Sequence, residues 1–384
     1  MKRTTAPKIL FIKQYHYTRV SGGAEEQCWL LATELARRGW DVHYASEMNT
    51  LPNPSRFEDV QLHGLPENPS LFTGNRSAIA RLMRELTPDV VYARSFDIYT
   101  SPTLLEAPKT AVRIWASAMS GDGFVFPRIH QMRKTLALPL FLKRAPVFIA
   151  VFAKAKYALR RANIIFVQRP DQIAPFRRRG LEVVHFRNVQ PSVSEQAVQK
   201  HEGRPVVLWA ASIKTWKRPE KFLELATRCA DLDLDFIMIG ALQDTEYETI
   251  IAETVKNNPR FRWDGSIPIT AVREYFAKTH LFVNTSIQLE GFPNSFIHAW
   301  LYGIPVLSLG VDPEGLLSKD GLGIATHTMD QLEQALRDLI GDPVKRRAMG
   351  ARARAFANAE FDLQRNVDRL EELIAQHGVT LPPR

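Results

Sequence analysis

The stretch "PVVLWAASIKTWKRPEKFLELATRCADLDLDFIMIG", Pro205 to Gly240, decides the fold. It opens with PVVLWAAS, an apolar run of strand length. A loop carrying Lys214, Lys217 and Arg218 follows. RPEKFLELATRCA then has a helical pattern, with Pro219 near the first turn, where a missing N–H is harmless. DLDLD leads into LDFIMIG, a second buried strand. Strands that alternate with helices predict an α/β fold with a parallel sheet covered on both faces.

The same alternation extends in both directions. Downstream, TEYETIIAETVKNN reads as a helix, RFRWDGSI as a short strand, TAVREYFAKT as a helix and LFVNTS as a strand. LEGFPNSFIHAWLYGIPVLSLG, Leu289 to Gly310, gives a strand end, a tight loop, a short amphipathic helix and another strand. DQLEQALRDLIG, PVKRRAMGARARAFANA and DLQRNVDRLEELIAQHG are helices. Upstream, KILFIKQ, WDVHYAS, PDVVYARS, TAVRIWAS, NIIFVQ and EVVHFRN are strands. A glycine pair, Gly22 and Gly23, leads into the helix AEEQCWLLATELARRG, which Gly39 closes.

Val189 to Pro205, VQPSVSEQAVQKHEGRP, interrupts the pattern with a polar, proline-flanked segment. The expected organisation is therefore a domain at 1–190, a linker at 191–204, a second domain at 205–360 and a terminal helix at 361–384 packing back on the first. In open parallel sheets, ligands sit outside the carboxyl ends of the strands. Two Rossmann-like sheets facing each other would put the site in the cleft between them.

Bulk properties fit this reading. The chain has 384 residues, 45% apolar and 24% charged, as in globular proteins that bury real cores. Its two cysteines, Cys28 and Cys229, lack partner spacing, which excludes a disulfide framework or a cysteine zinc site and fits a reducing compartment. The start lacks the apolar core of a signal peptide. No apolar run reaches the roughly 20 residues of a spanning helix. The net charge of +9 is local. Between Asp122 and Asp171 there is no acidic residue, while ten Lys and Arg fall there, from Arg128 to Arg169.

Four of these stretches together resemble the retaining, GT-B-fold, nucleotide-sugar-dependent glycosyltransferases of family 4. SGGAEEQCWLLATELARRGWDV is similar to the family's first glycine-rich loop and helix, and TPDVVYARS to a second strand of its N-domain. VVLWAASIKTWKRPEKFLELA resembles the strand, loop and helix that hold the donor diphosphate. EGFPNSFIHAWLYGIPVLSL resembles the block, with two Glu eight residues apart, that holds the donor sugar and ribose. The resemblance covers most of the chain. It implies two Rossmann-like domains, an N-terminal one for the acceptor and a C-terminal one for the nucleotide sugar.

The residues support the same chemistry on their own terms. Lys214, Lys217 and Arg218 just ahead of a helix make an anion site, from cations and unsatisfied helix N–H groups. Phe292, Pro293, Asn294 and Ser295 form a turn and helix start with free N–H groups. The resemblance implies that Glu290 contacts donor-sugar hydroxyls, and a carboxylate can accept from two hydroxyls of a diol. The family's second Glu is replaced by His298, which offers one donor and one acceptor and cannot clamp both ribose oxygens. Ser212 stands where the family has an Arg beside the diphosphate. The family's N-domain His is missing near Trp115 and Ser117. His16, Gly22 and Gly23 are candidates for an acceptor or phosphate loop, although a lone loop histidine is usually polar surface and the glycines also suit a plain helix entry.

By resemblance the reaction retains anomeric configuration. No nucleophilic carboxylate is evident, which favours same-face attack assisted by the departing diphosphate, with no metal and no cofactor. The Asp231–Asp235 run lies at the amino end of its strand and reads as a solvated loop. The window 128–161 alternates apolar blocks with cations. It is expected either to lie on an anionic membrane surface, broken into short helices by Pro139 and Pro146, or to be domain core with a solvated rim. No nucleic-acid motif accompanies it. The expected function is sugar transfer to a glycan or lipid-linked acceptor in cell-surface polysaccharide or glycoconjugate synthesis, in the cytoplasm or at the inner face of the plasma membrane. The alternatives are a non-catalytic nucleotide-sugar or glycan-binding protein of the same fold and, less well matched to the block at Glu290, an epimerase or phosphorylase.

Overall fold

The computed structural model describes residues 6–19, 22–52, 55–68, 70, 73, 75–95, 98–117, 138–198, 203–287 and 291–383. The chain divides into two compact units, Met1–Val189 with Leu363–Arg384, and Gln190–Asp362.

The first unit carries strands β1 (Lys8–Ile12), β2 (Asp41–Glu47), β3 (Arg56–Phe57), β4 (Val60–Leu65), β5 (Val90–Arg94), β6 (Val112–Ala116), β7 (Ile164–Val167) and β8 (Val184–His185). They form one sheet in the order β3-β4-β2-β1-β5-β6-β7-β8, parallel except for β3 against β4. Side chains alternate across it, as the strand period requires. Ile9, Phe11, Val42, Tyr44 and Tyr92 face one way, with Leu31 and Leu35 of helix α1 (Gly23–Arg37). Leu10, Ile12, Ala45 and Val91 face the other way, with Ile79, Leu82 and Met83 of α2 (Arg76–Leu86). Helix α3 (Thr100–Glu106) follows β5.

Residues 128–137 of the basic window lie outside the described residues, and the part that follows, helix α4 (Leu138–Leu159), corrects an expectation. It is continuous through Pro146 rather than broken into short helices. Pro139 sits at the second helical position, where its missing N–H would be unpaired anyway. Pro146 is exposed, so the carbonyl it leaves unpaired can bond water. Short helix α5 (Ile173–Arg177) follows β7.

The second unit begins with α6 (Glu195–Val198), inside the stretch expected to be a linker. The start of that stretch is tied down: Arg354 donates to Glu195 Oε1 at 2.6 Å and to the Val193 carbonyl at 2.9 Å. Then come β9 (Val206–Ala210), α7 (Pro219–Arg228), β10 (Asp235–Ile239), α8 (Glu248–Asn257), β11 (Phe261–Trp263), α9 (Ile269–Lys278), β12 (Leu281–Asn284), α10 (Asn294–Leu301), β13 (Val306–Leu309), β14 (Gly323–Thr326), α11 (Met329–Gly341) and α12 (Pro343–Glu360). The strands form a fully parallel sheet in the order β11-β10-β9-β12-β13-β14. Val207, Trp209, Phe236 and Met238 pack on one face with Phe222 and Leu225, and Leu208, Ile237 and Phe282 on the other with Phe296 and Trp300.

Helix α13 (Leu363–Ala375) belongs to the first unit. Its Val367, Leu370 and Ile374 join the core under α1. Arg38 bridges Glu34, Asp368 and Glu371 at 2.7, 2.7 and 2.8 Å, and Trp40 Nε1 donates to Glu371 at 2.8 Å.

Candidate active site

Each parallel sheet has a switch point, where consecutive connections leave in opposite directions and a crevice opens beyond the strand ends. In the second unit it lies between β9 and β12. Two stretches border it: Ala211–Arg218 after β9, and residues 285–287 and 291–293 after β12.

These loops are joined. Thr285 donates its hydroxyl to the Lys217 carbonyl at 2.7 Å and accepts from Trp209 Nε1 at 2.9 Å. The Ile287 N–H donates to the Trp216 carbonyl at 3.1 Å. Arg218 closes the junction. It precedes a proline, sits in the left-handed region at φ 49°, and donates to the Thr285 and Leu309 carbonyls at 2.6 and 2.5 Å. Such a backbone persists only where its surroundings hold it. Burial lowers its pKa. Arg218, expected at a diphosphate, thus braces the loops through their carbonyls.

Lys214 caps and Lys217 ends a single 3-10 turn, Thr215–Lys217, and both are half-buried. The Lys217 ammonium lies 4.3 Å from the centre of the Trp216 ring. Asp244 accepts from the Thr215 N–H at 2.7 Å and its hydroxyl at 2.8 Å. Those bonds, with Lys214 nearby, hold the Asp244 pKa down. Ser212 is half-buried between Ala211 and Ile213, whose N–H groups bond strand β10's end at the Ile239 and Ala241 carbonyls, 3.1 and 2.9 Å. Gly240, at φ +145°, permits this approach, since a Cβ there would lie 1.7 Å from the Ala211 carbonyl oxygen.

Across the crevice, α10 starts at Asn294 with Pro293 as its cap and no side-chain cap bond. Asn294 and Ser295 are half-buried, and Pro293 is buried. The Phe292 ring is core, 6.0 Å from Trp300 and 5.1 Å from Phe361, so Phe292 can offer a ligand only its backbone. Glu290 lies outside the described residues. His298 stacks on Phe276 with ring centres 5.5 Å apart, and its Nε2 is 3.3 Å from Gln190 Nε2. An amide N–H there makes His298 Nε2 an acceptor and leaves the ring proton on Nδ1. At the far edge, Asp231 and Asp233 pair with Arg337, Arg204 and Arg260. Among the described residues, no three His, Cys, Asp or Glu side chains converge as metal ligands.

The first unit's switch point lies between β1 and β5. Lys13, just past β1, is 3.3 Å from Glu25 in the first turn of α1 and donates to Ser95 Oγ at 3.2 Å, past the end of β5. Gly22 caps α1 in extended backbone at φ −113°, and Gly23 is its first residue. Gly22 does not need glycine for a positive φ. A Cβ there would lie 2.0 Å from Glu25 Oε2, so a side chain would require that carboxylate to shift. His16 is no surface residue. It is buried among Tyr17, Trp29, Tyr44 and Phe57, with Nδ1 2.8 Å from Thr18 Oγ1, and burial lowers its pKa to about 4.

Sequence reading missed Lys13, Glu25, Glu47, Arg94 and Asn188 here, and Gln190 and Thr285 in the second unit. Arg94 donates to Asn188 at 2.6 Å, while Glu47 accepts from Gln14 and Tyr99 at 3.0 and 2.8 Å. A signal was present: Lys13, Glu47 and Arg94 each end or follow an apolar strand run, where a parallel sheet opens to ligand.

Comparisons with known proteins agree with this architecture. The model of Glycosyltransferase Family 4 matches residues 21–168, and that of Glycosyl transferases group 1 matches 193–356. The GDP-mannose-dependent monoacylated alpha-(1-6)-phosphatidylinositol monomannoside mannosyltransferase of Corynebacterium glutamicum is 25% identical over 234 residues, 57% of this chain. The chain spans 60% of the length of that relative. Sucrose-phosphate synthase (tll1590) from Thermosynechococcus elongatus superposes with a TM-score of 0.75 at 15% identity, over 96% of this chain and 98% of that one. Anabaena Alr3699/HepE in complex with UDP-glucose does so at 0.71 and 15%, over 96% and 99%. Two Rossmann-like units, a basic loop and helix start at the switch point of the second, and both family matches relate this chain to the GT-B-fold, nucleotide-sugar-dependent glycosyltransferases.

Proposed function

We propose that the protein transfers a sugar from a nucleoside-diphosphate sugar to a hydroxyl of a glycan or lipid-linked acceptor, with retention of anomeric configuration. The junction of the two switch-point loops through Thr285 and Lys217 carries this reading. It holds the loop that carries two lysines beside the end of β12, and the uncapped start of α10 follows β12 in the chain, an arrangement that would suit a pyrophosphate.

Lys217 and Lys214 meet the diphosphate, helped by the N–H groups of Asn294 and Ser295 and the Ser212 hydroxyl. Arg218 is a positioning residue. Glu290 holds the sugar hydroxyls and His298 the ribose. The C1–O bond to the diphosphate breaks as the acceptor oxygen bonds C1 on the same face, and the acceptor proton passes to the leaving phosphate oxygen. Gly22, Gly23 and the buried His16 shape an acceptor loop in the first unit. The complex of Alr3699/HepE with UDP-glucose and the mannosyltransferase of C. glutamicum, named for a phosphatidylinositol-linked substrate, support the donor and acceptor classes. The basic window 128–161 supports a peripheral place on an anionic membrane, at its inner face. No helix among the described residues is long and apolar enough to cross one.

Incubation with a panel of UDP-, GDP- and ADP-sugars plus lipid extract tests the reading. Release of nucleoside diphosphate with a glycosylated product whose anomeric NMR coupling matches the donor's is expected. Nucleotide binding without release would instead establish the non-catalytic alternative.

A further inference from the structure

We propose that a notch on the first unit, bounded by Arg76, Arg113 and Arg161, binds the phosphate of an anionic lipid headgroup. This rests on the peripheral-membrane part of the function proposed above and not on the transfer chemistry.

The notch has a volume of about 300 Å³ and is lined by Arg76, Leu104, Glu106, Arg113, Tyr157 and Arg161, with Leu105 beside them. Three arginines and one glutamate line it. Arg113 cannot withdraw. It donates to the carbonyls of Leu104, Ala107 and Pro108 at 3.1, 3.1 and 2.8 Å, and so forms a fixed wall. Arg161 donates to the Tyr157 hydroxyl at 3.1 Å, its guanidinium 5.7 Å from the ring centre. Arg76 pairs with Glu106. Burial, and then the charge of Arg161, lower the Arg113 pKa. A bound phosphate would relieve that crowding, and arginine forks match its oxygens.

What points to a lipid is the helix that ends at the notch. Leu138, Leu142, Pro146, Ile149, Ala153 and Tyr157 recur at helical spacing along α4 and are exposed. Leu138, Leu142 and Ile149 are 64%, 62% and 50% exposed, unusual for such side chains. The stripe runs about 30 Å at the rise of an α-helix. No acidic residue interrupts the sequence from Gly123 to Pro170. An apolar stripe on a helix whose own charged residues are all cations complements an anionic bilayer, with the helix lying in its interface. Arg161, one turn beyond Tyr157, then stands at headgroup depth.

Vesicle flotation tests this, using phosphatidylcholine alone or mixed with phosphatidylglycerol. The whole chain is compared with R76K/R161K, which keeps charge and fold but loses the guanidinium forks, and with R56A, an exposed arginine elsewhere on the same unit. Wild type is expected to float with the mixed vesicles only, R76K/R161K to bind about tenfold more weakly, and R56A to bind like wild type. Equal binding by R76K/R161K would reduce the effect to diffuse attraction and overturn the site. So would absence of flotation, or thermal stabilisation of wild type by inorganic phosphate without vesicle binding, which would mean a free anion. Nucleotide-induced thermal shifts, read without lipid, report separately on the donor site, so the two proposals fail independently.

Discussion

The hydroxyl of Thr285 donates to the carbonyl of Lys217 at 2.7 Å, so a loop that follows one strand sets the position of a cation that follows another. Thr285→Val keeps the shape and removes the bond. It also deprives Trp209 Nε1 of its acceptor inside the core. The expected result is a loss of about 1–3 kcal/mol in urea unfolding, together with a rise in donor KM. If Lys217 owes nothing to this junction, KM will stay at its wild-type value while stability falls.

Steady-state kinetics separate the roles around the donor. Lys217→Ala is expected to lower kcat by about 100-fold, the scale of one lost charge-stabilising group. Glu290→Ala should chiefly depress kcat, and His298→Ala should chiefly raise donor KM, since a ribose contact is made equally in ground and transition states. Gln190→Leu frees His298 Nε2 from its neighbour and is expected to shift donor KM in the same experiment without the kcat loss of Glu290→Ala. The reverse ranking of Glu290 and His298 refutes the assignment.

The α/β alternation was readable because buried parallel strands are short continuous apolar runs, as in LDFIMIG, and amphipathic helices separate them. The site loops were readable where charge sits between such elements, as at Lys214 and Lys217. Three features were not. Pro146 suggests a break, but on an exposed helix face the carbonyl it leaves unpaired stays open to solvent. Phe292 belongs to a site motif, yet its ring serves the core with Trp300 and Phe361. Arg218 reads as an anion ligand, while its partners are carbonyls of Thr285 and Leu309, distant in sequence. In each case tertiary packing, which leaves no local pattern, decides the outcome.

Gly22 offers a sharper test of the first unit. Its backbone at φ −113° would accept alanine, so any penalty comes from the Glu25 carboxylate 2.0 Å from the added Cβ. To make room, that carboxylate must shift, which disturbs its contact with Lys13, a buried cation. Gly22→Ala is expected to destabilise by about 1–3 kcal/mol. Glu25→Ala should destabilise as well, and the double variant should lose clearly less than the sum, because the clash is gone once the carboxylate is removed. Additive losses in denaturant titrations would show that the two residues do not share this contact.

Acid should weaken the first unit through its buried imidazoles. His43 Nδ1 lies 2.8 Å from His63 Nε2, so one ring donates its N–H to the other, and a proton taken up at the accepting nitrogen breaks the bond. Burial lowers the pKa of His16 and of His63 from 6.5 to about 4; for His63 the neighbouring His43 adds to the effect. His43 is lowered by burial, with Asp41, 3.2 Å from its Nε2, opposing. Each folded-state value is below the unfolded one, so between pH 6.5 and about 4 the unfolded chain binds more protons. Stability is therefore fully present above pH 6.5 and falls as pH drops toward 4, by up to about 1.4 kcal/mol per pH unit for each of His16 and His63. Urea titrations across that range should show the slope, and His16→Phe should flatten it by one proton's share. A slope that is unchanged in His16→Phe would mean that this imidazole is protonated inside the fold.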